Sequence, residues 1–397
     1  TMSGSYPQFI NLLYTTRFPL SNITFFNSGI SGGVSGGAIR RLESDVFIHK
    51  PTWCTLMIGG NDIKGWLYSD ANKNVPDIKE QQQAALDKYY KDSDSLIRRL
   101  LAANIKVILI TDPIYEETAK IPAEVIHGLN DISKKLALNW EEQGRKYNLP
   151  VVDTWTILND LNKKIQAKDS TATIVGPDRN HFGKQGHLVM TYQFLKTQGF
   201  PGVVSAISLN AKNGKAIKTI NCNVTGLAAN RTSVSFNCLE NALPFPTEPG
   251  FNPDSLVNFT KELNSEIIQV KGLSAGNYQL FIDDAVIGTF PGKNFQAGIN
   301  LSKNKNTPQY RQADSVRSLF TSYWATVADI RAIKFVEYEH LRNFKNMDDL
   351  NEIKVFFTNA LEKYKATSDP NFGFFTKMYD KYLTNKPKEK DLEMKLE

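Results

Sequence analysis

Along the first 200 residues the apolar positions alternate between two rhythms. Short apolar runs at Ile23 to Asn27, Thr52 to Ile58, Ile105 to Thr111 and Val151 to Trp155 read as strands. Between and after them, residues 37–49, 78–103, 122–147 and 183–197 repeat apolar side chains at helical spacing. Strands separated by helices of this length predict right-handed βαβ units, and so an α/β domain over residues 1–200 with a three-layer α/β/α parallel sheet. The texture changes at Gly199 to Pro201. Residues 201–305 carry short alternating runs broken by Gly, Asn and Pro, which predict a small all-β, sandwich-like accessory domain. Its interior is expected to hold Ile268, Val270, Tyr278, Leu280 and Ile282 on an antiparallel sheet, with a hairpin at 276–290 turning at Asp283 and Asp284. Residues 306–397 are helical again, with amphipathic stretches at 315–345 and 349–366, and are expected to pack on the other two domains.

Composition narrows the class without naming a chemistry. The chain has 397 residues, 41% apolar and 22% charged, with three cysteines. That excludes collagen-like, disordered and disulfide-scaffold proteins. The net charge of +6 is spread thinly, and the Lys/Glu tail at 386–397 is the one dense charge run. Neither a nucleic acid nor a membrane surface is implied as a partner. The longest apolar runs fall far short of the 18 or more residues of a spanning helix. Cys222 and Cys238 lie symmetrically about Asn230 and are expected opposite each other on a hairpin, as a disulfide or as two half-buried strand residues. Cys54 reads as core. His49, His127, His187 and His340 have no carboxylate or Cys at ligand spacing, so neither a metal nor a cofactor is expected. The sequons at Asn22, Asn223, Asn230, Asn258 and Asn300 mark polar surface. Oligomeric state is not legible.

Three spots share one property, a position at or beyond the carboxyl end of a strand, where open α/β sheets bind ligands. They are Asn27 to Gly33, Gly59-Gly60-Asn61-Asp62, and Asp178-Arg179-Asn180-His181. An Asp three residues before a His can hold the Nδ1 proton and leave Nε2 as a base. An Asn amide and an NH in a Gly-rich turn are the donors an oxyanion needs.

Together these segments resemble the SGNH (GDSL-type) hydrolase superfamily, over residues 5–200. Ile30-Ser31-Gly32 resembles the second family block, Gly59 to Asp62 the third, and Asp178 to His187 the last, with Phe182 where Pro is usual. Ser5 to Leu13 resembles the helix after the nucleophile. The resemblance implies a flavodoxin-like sheet and cofactor-free hydrolysis of a carboxylic ester. It gives Gly32 NH and Asn61 as oxyanion donors, His181 as general base and acid, and Asp178 as its orienting partner. Members with an extra β-domain suggest a secreted or periplasmic O-acetyl esterase acting on a carbohydrate or other small ester, with Trp53, Trp66 and Tyr68 as candidate stacking surface.

The family's first block, GlyAspSer at the end of the first strand, has no counterpart in residues 1–397. Ser3 and Ser5 follow no strand, and Asp94-Ser95, Asp254-Ser255 and Asp314-Ser315 lack a preceding apolar run. The chain starts at Thr1 without a leader, so the nucleophile is expected upstream. About 15 to 30 residues there would form a strand between those at 23–27 and 52–58. A rival reading takes Gly29 to Gly33 or Gly33 to Gly37 as a GlyXaaSerXaaGly elbow. A different class altogether is a non-catalytic carbohydrate-binding or scaffolding protein on a hydrolase fold.

Overall fold

The computed structural model describes residues 4–395, apart from 249, 345, 348 and 369–371. It divides into two compact units, Gly4–Asp314 and Ser315 onward.

In the first unit, residues 4–200 build an α/β layer structure from α1 (Tyr6–Arg17), α2 (Ser35–Asp45), β1 (Trp53–Leu56), α3 (Ile78–Ala102), β2 (Lys106–Ile110), α4 (Leu129–Tyr147), β3 (Val151–Val152), α5 (Thr154–Gln166) and α6 (Lys184–Thr197). The strands form a parallel sheet in the order β1-β2-β3. Helices cover both faces, as the near-continuous apolar run of β2 requires. Val107 and Leu109 pack with Leu96, Ile97 and Leu100 of α3 and Leu136 and Trp140 of α4. On the other side Ile114, Leu158 of α5 and Val189 and Met190 of α6 form a second cluster.

The structure departs from the sequence reading at three places in this half. Residues 23–27 belong to no strand, so β1 lies at the edge of the sheet. Helix α4 starts at Leu129 rather than at 122, because the Glu117 carboxylate takes the NH groups of Gly128 and Asn130 and fixes the start there. Helix α5 was not foreseen. Asp153 caps it by accepting from Thr156 N at 2.9 Å, immediately after the two residues of β3, so strand and helix share one short apolar stretch.

Beyond residue 200 the strands are β4 (Val203–Asn210), β5 (Lys215–Ile220), β6 (Cys222–Asn230), β7 (Ser233–Glu240), β8 (Ser265–Lys271), β9 (Asn277–Ile282), β10 (Ala285–Pro291) and β11 (Ile299–Asn300), with short helices α7 (Phe259–Leu263) and α8 (Gly292–Ala297). Ile268 and Val270 are buried, and Tyr278, Leu280 and Ile282 pack against them. The sheet is mixed rather than antiparallel, since β8 pairs parallel with β4. The chain between them, residues 211–264 with β5, β6, β7 and α7, supplies the long return that a parallel pair needs.

Cys222 and Cys238 share the β6–β7 hairpin but are not opposite each other: Cys222 faces Glu240 and Cys238 faces Val224. Asn230 starts the turn instead of centring it. Its side chain accepts from Thr232 N and Ser233 N, and a one-residue bulge precedes it between Thr225 and Ala228. All three cysteines are free.

Helix α9 (Pro308–Glu339) enters the second unit, which also holds α10 (Leu350–Ala366), α11 (Phe372–Asn385) and α12 (Glu389–Met394). That unit has its own core of Ile333, Val336, Leu341, Ile353, Phe357, Tyr379 and Tyr382, with Phe357 and Tyr379 stacked at 4.0 Å.

Helix α1 ties the two parts of the first unit together. Arg17, 3% exposed, donates to the carbonyls of Pro201 and Leu263, and Thr16 O accepts from Leu243 N. Phe9 packs on Phe245 and Phe251. Arg17→Ala leaves those carbonyls without a donor, and is expected to lower stability by about 2 to 4 kcal/mol. Urea unfolding should show the midpoint falling at unchanged slope; a change below about 0.5 kcal/mol would contradict this role for α1.

Candidate active site

Two turns meet just beyond β1. The chain leaves the strand into Gly59 to Asp62, closed by Asp62 N donating to Gly59 O at 2.8 Å. The Asn61 amide donates to Gly33 O at 3.2 Å, which brings it against the Gly32 turn. An amide nitrogen carries two hydrogens, and this bond uses one. Asp62 completes the junction by accepting from Ser35 N at 3.0 Å and from the Ser35 hydroxyl. Ser35 is therefore a fully buried residue in the first turn of α2, with no strand before it. This removes the elbow reading of Gly33 to Gly37.

Under this junction lies a carboxyl group that the sequence reading missed. Asp112 lies two residues past the end of β2, is 5% exposed, and accepts from Gly60 N at 3.0 Å and from Trp140 Nε1 at 3.2 Å. Burial pushes its pKa up, the two hydrogen bonds pull it down and the Asp62 charge raises it again, leaving it at about 7. Gly59 has to be glycine here: its φ is +150°, and a Cβ would lie 2.8 Å from Asp112 Oδ2 and from Tyr89. An acid just past an apolar strand meets the same criterion that singled out Asn61, so the signal was present.

The second pair lies on the loop before α6. His181 Nδ1 is 2.6 Å from Asp178 Oδ2, and both side chains reach solvent. Asp178 also accepts from the backbone of His181 and Asn180. Burial raises the Asp178 carboxyl, but these bonds and the imidazole outweigh it and hold it below the usual range. The loop closes through Gly176 N to His181 O, and a Cβ on Gly176 would lie 2.5 Å from that oxygen. His187 is a packing residue, stacked on Tyr6 at 6.2 Å. Burial and the neighbouring His181 charge lower its pKa to about 4.

Described contacts thus join the four expected residues into two pairs, Asn61 with the Gly32 turn and His181 with Asp178. Asn61 follows β1, while the His181 loop is pinned beyond β2 by Glu116 N donating to Arg179 O at 2.9 Å. Glu116 was also missed. Its carboxylate accepts from Thr118 N, Ala119 N, Asn162, Gln166 and Thr173. Burial raises its pKa, and those bonds win and lower it. Among the described residues no cluster of three metal-ligating side chains is present.

Residues 5–194 match the model of the GDSL-like lipase/acylhydrolase family. An acetylxylan esterase from Geobacillus stearothermophilus is 27% identical over 205 residues, covering 51% of this chain and 85% of that protein. A crystal structure of an acetylxylan esterase from that organism covers 49% of this chain and 81% of its own, at 26% identity and a TM-score of 0.40. The structure of BT4096, a gut microbial diltiazem-metabolizing enzyme, aligns over 98% of this chain and 90% of its own, at 27% identity and a TM-score of 0.80.

Asp112 sets a pH dependence whose sign follows from its raised pKa. Between pH about 4, where an unfolded Asp titrates, and about 7, the folded state holds the extra proton. Its contribution to stability is full below that window and is lost as pH rises through it, by up to about 1.4 kcal/mol per pH unit. Asp112→Asn lacks this loss, so urea unfolding from pH 4 to 7 should show the variant gaining on the parent. Parallel curves would contradict a carboxyl raised by burial.

Proposed function

We propose that residues 5–194, which match the GDSL-like lipase/acylhydrolase family, are those of a carboxylic ester hydrolase whose ester is an O-acetyl group on a carbohydrate or other small alcohol. The observation that carries the mechanism is the Asp178–His181 pair, with Nδ1 2.6 Å from Oδ2; the contact between the Asn61 amide and the Gly32 turn supports the oxyanion side of the reading.

In this reading a Ser hydroxyl attacks the ester carbon while His181 Nε2 takes its proton, with Asp178 fixing the ring tautomer. Gly32 NH and Asn61 Nδ2 donate to the oxygen that becomes negative. His181 returns the proton to the departing alcohol, and a water deprotonated by His181 resolves the acyl-enzyme. No cofactor takes part.

We assign the nucleophile to sequence upstream of Thr1, on a strand alongside β1. Two observations support this. Among the described residues β1 pairs with β2 alone, and residues 23–27 join no ladder, with Ile23 and Phe26 exposed. A parallel strand added at that edge would end beside Asn61 and the Gly32 turn, where open sheets present their ligands.

The acetyl and carbohydrate parts of the proposal are supported by the acetylxylan esterase relative and by Trp66. That indole is 56% exposed in the turn that follows Asn61, and could stack on a sugar face. Trp53 and Tyr68 do not help. Trp53 starts β1, at the opposite end of the strand, with Lys106 Nζ 5.1 Å from its ring. Tyr68 packs against the core with its hydroxyl buried. A secreted or periplasmic location remains part of the proposal. Among the described residues no helix is long and apolar enough to cross a membrane.

Hydrolysis of 4-nitrophenyl acetate and of acetylated xylooligosaccharides by the protein with its upstream sequence tests this reading. Asn61→Ala should lower kcat/KM by about 10²- to 10³-fold, the effect of removing one oxyanion donor. His181→Ala should lower it further, and acetyl esters should be preferred over butyryl. Full activity in both variants would overturn the assignment. An inert parent protein that still binds the oligosaccharide would favour the binding-module reading.

A further inference from the structure

Arg179 sits between Asp178 and His181, yet it points the other way. It is 2% exposed, whereas its two neighbours in the motif face solvent. Its guanidinium donates to four backbone carbonyls: Nε to Ala123 at 2.7 Å, Nη1 to Ala119 at 3.2 Å and to Glu116 at 3.3 Å, and Nη2 to Ile121 at 2.9 Å. No carboxylate is among its described partners. Its main chain is held as well, with N donating to Gly176 O at 3.1 Å and O accepting from Glu116 N at 2.9 Å.

The backbone at this residue is left-handed, φ +64°, a conformation that a long side chain adopts only when its surroundings insist. Four carbonyls converging on one point repel each other unless a cation lies between them, and a planar five-donor fork is suited to several acceptors at once. The loop after β2, residues 116–123, is therefore curled round the residue that separates the acid from the imidazole. We propose that Arg179 is the positioning residue of the catalytic pair: its guanidinium, anchored in the carbonyls of 116–123, fixes the strained turn that holds Asp178 and His181 in register.

This inference rests on the roles proposed for Asp178 and His181, and the test separates the two. The left-handed backbone makes Arg179→Gly the informative variant, because Gly keeps that conformation without strain while the guanidinium goes with the rest of the side chain. Acetate-ester hydrolysis by the protein with its upstream sequence would be measured for Arg179→Gly, Arg179→Lys and His181→Ala, with thermal melting alongside. The expected result is a fall in kcat of about 10- to 100-fold in the Gly variant, with KM within about twofold, as for a reacting group displaced by about an ångström. Guanidinium ion at a non-denaturing concentration should restore part of the loss. Methylammonium should not, and Lys should not replace Arg, because an ammonium cannot bridge four carbonyls in one plane.

Full kcat in a folded Arg179→Gly variant, with His181→Ala inactive, would overturn the proposal and leave the catalytic assignment standing. Activity in His181→Ala would overturn the assignment on which the proposal rests. Should the Gly variant not fold, Arg179→Lys carries the test. A Lys variant with parental kcat would overturn the proposal, and one with reduced kcat and parental KM would support it.

Discussion

Buried charge against loop backbone is what the carboxyl edge of the parallel sheet depends on. Loops that turn back over a sheet carry NH and CO groups that water reaches poorly, and each one left unpartnered costs about 1 to 3 kcal/mol. Here three charged or chargeable side chains meet those groups. Asp112 takes Gly60 N beneath the Asn61 turn. Glu116 takes Thr118 N and Ala119 N, and Arg179 then gathers the carbonyls of Glu116, Ala119, Ile121 and Ala123. The exposed Asn61, Asp178 and His181 stand on this framework, and their geometry is borrowed from it.

Such an arrangement keeps chemistry and support apart. Asp178 and His181 are solvent-facing and connected mainly to each other, so their orientation comes from the turn they stand on. Glu116 binds α5 through Asn162 and Gln166, and Thr173 in the chain beyond it, so the loop after β2, the helix after β3 and the approach to His181 form one hydrogen-bonded body. On the β1 side, Asp62 and Ser35 join the Asn61 turn to the start of α2 in the same way. A substitution in either support should act on the reaction without touching substrate.

What the sequence made legible follows from which signals are local. Apolar rhythm located β1, β2, α3 and α6, a strand end located Asn61, and the three-residue spacing of Asp178 and His181 marked that pair although it follows helix α5 rather than a strand, because these signals depend on residues within a few positions. Residues 23–27 carry a strand's apolar pattern but have no partner strand, and pairing is a property of two segments rather than one. Helix α5 was hidden because β3 is two residues long and its successor starts at once. Arg179 was in plain view inside the motif. Its direction is set by carbonyls some 56 to 63 positions earlier in the chain, which no local pattern displays. The offset of Cys222 and Cys238 has the opposite origin, a side-chain turn at Asn230 that shifts the hairpin centre by more than one residue.

The central claim is that this chain holds the base and oxyanion donors while a strand beside β1 supplies the nucleophile. The most direct measurement is labelling with a fluorophosphonate, followed by mass-spectrometric mapping of the adduct, on the Thr1–Glu397 chain and on the protein carrying its upstream sequence. The account predicts one adduct on the longer protein, at a Ser upstream of Thr1, lost in His181→Ala, and none on the shorter chain. An adduct at a Ser within residues 1–397, or no adduct on either protein, would contradict it.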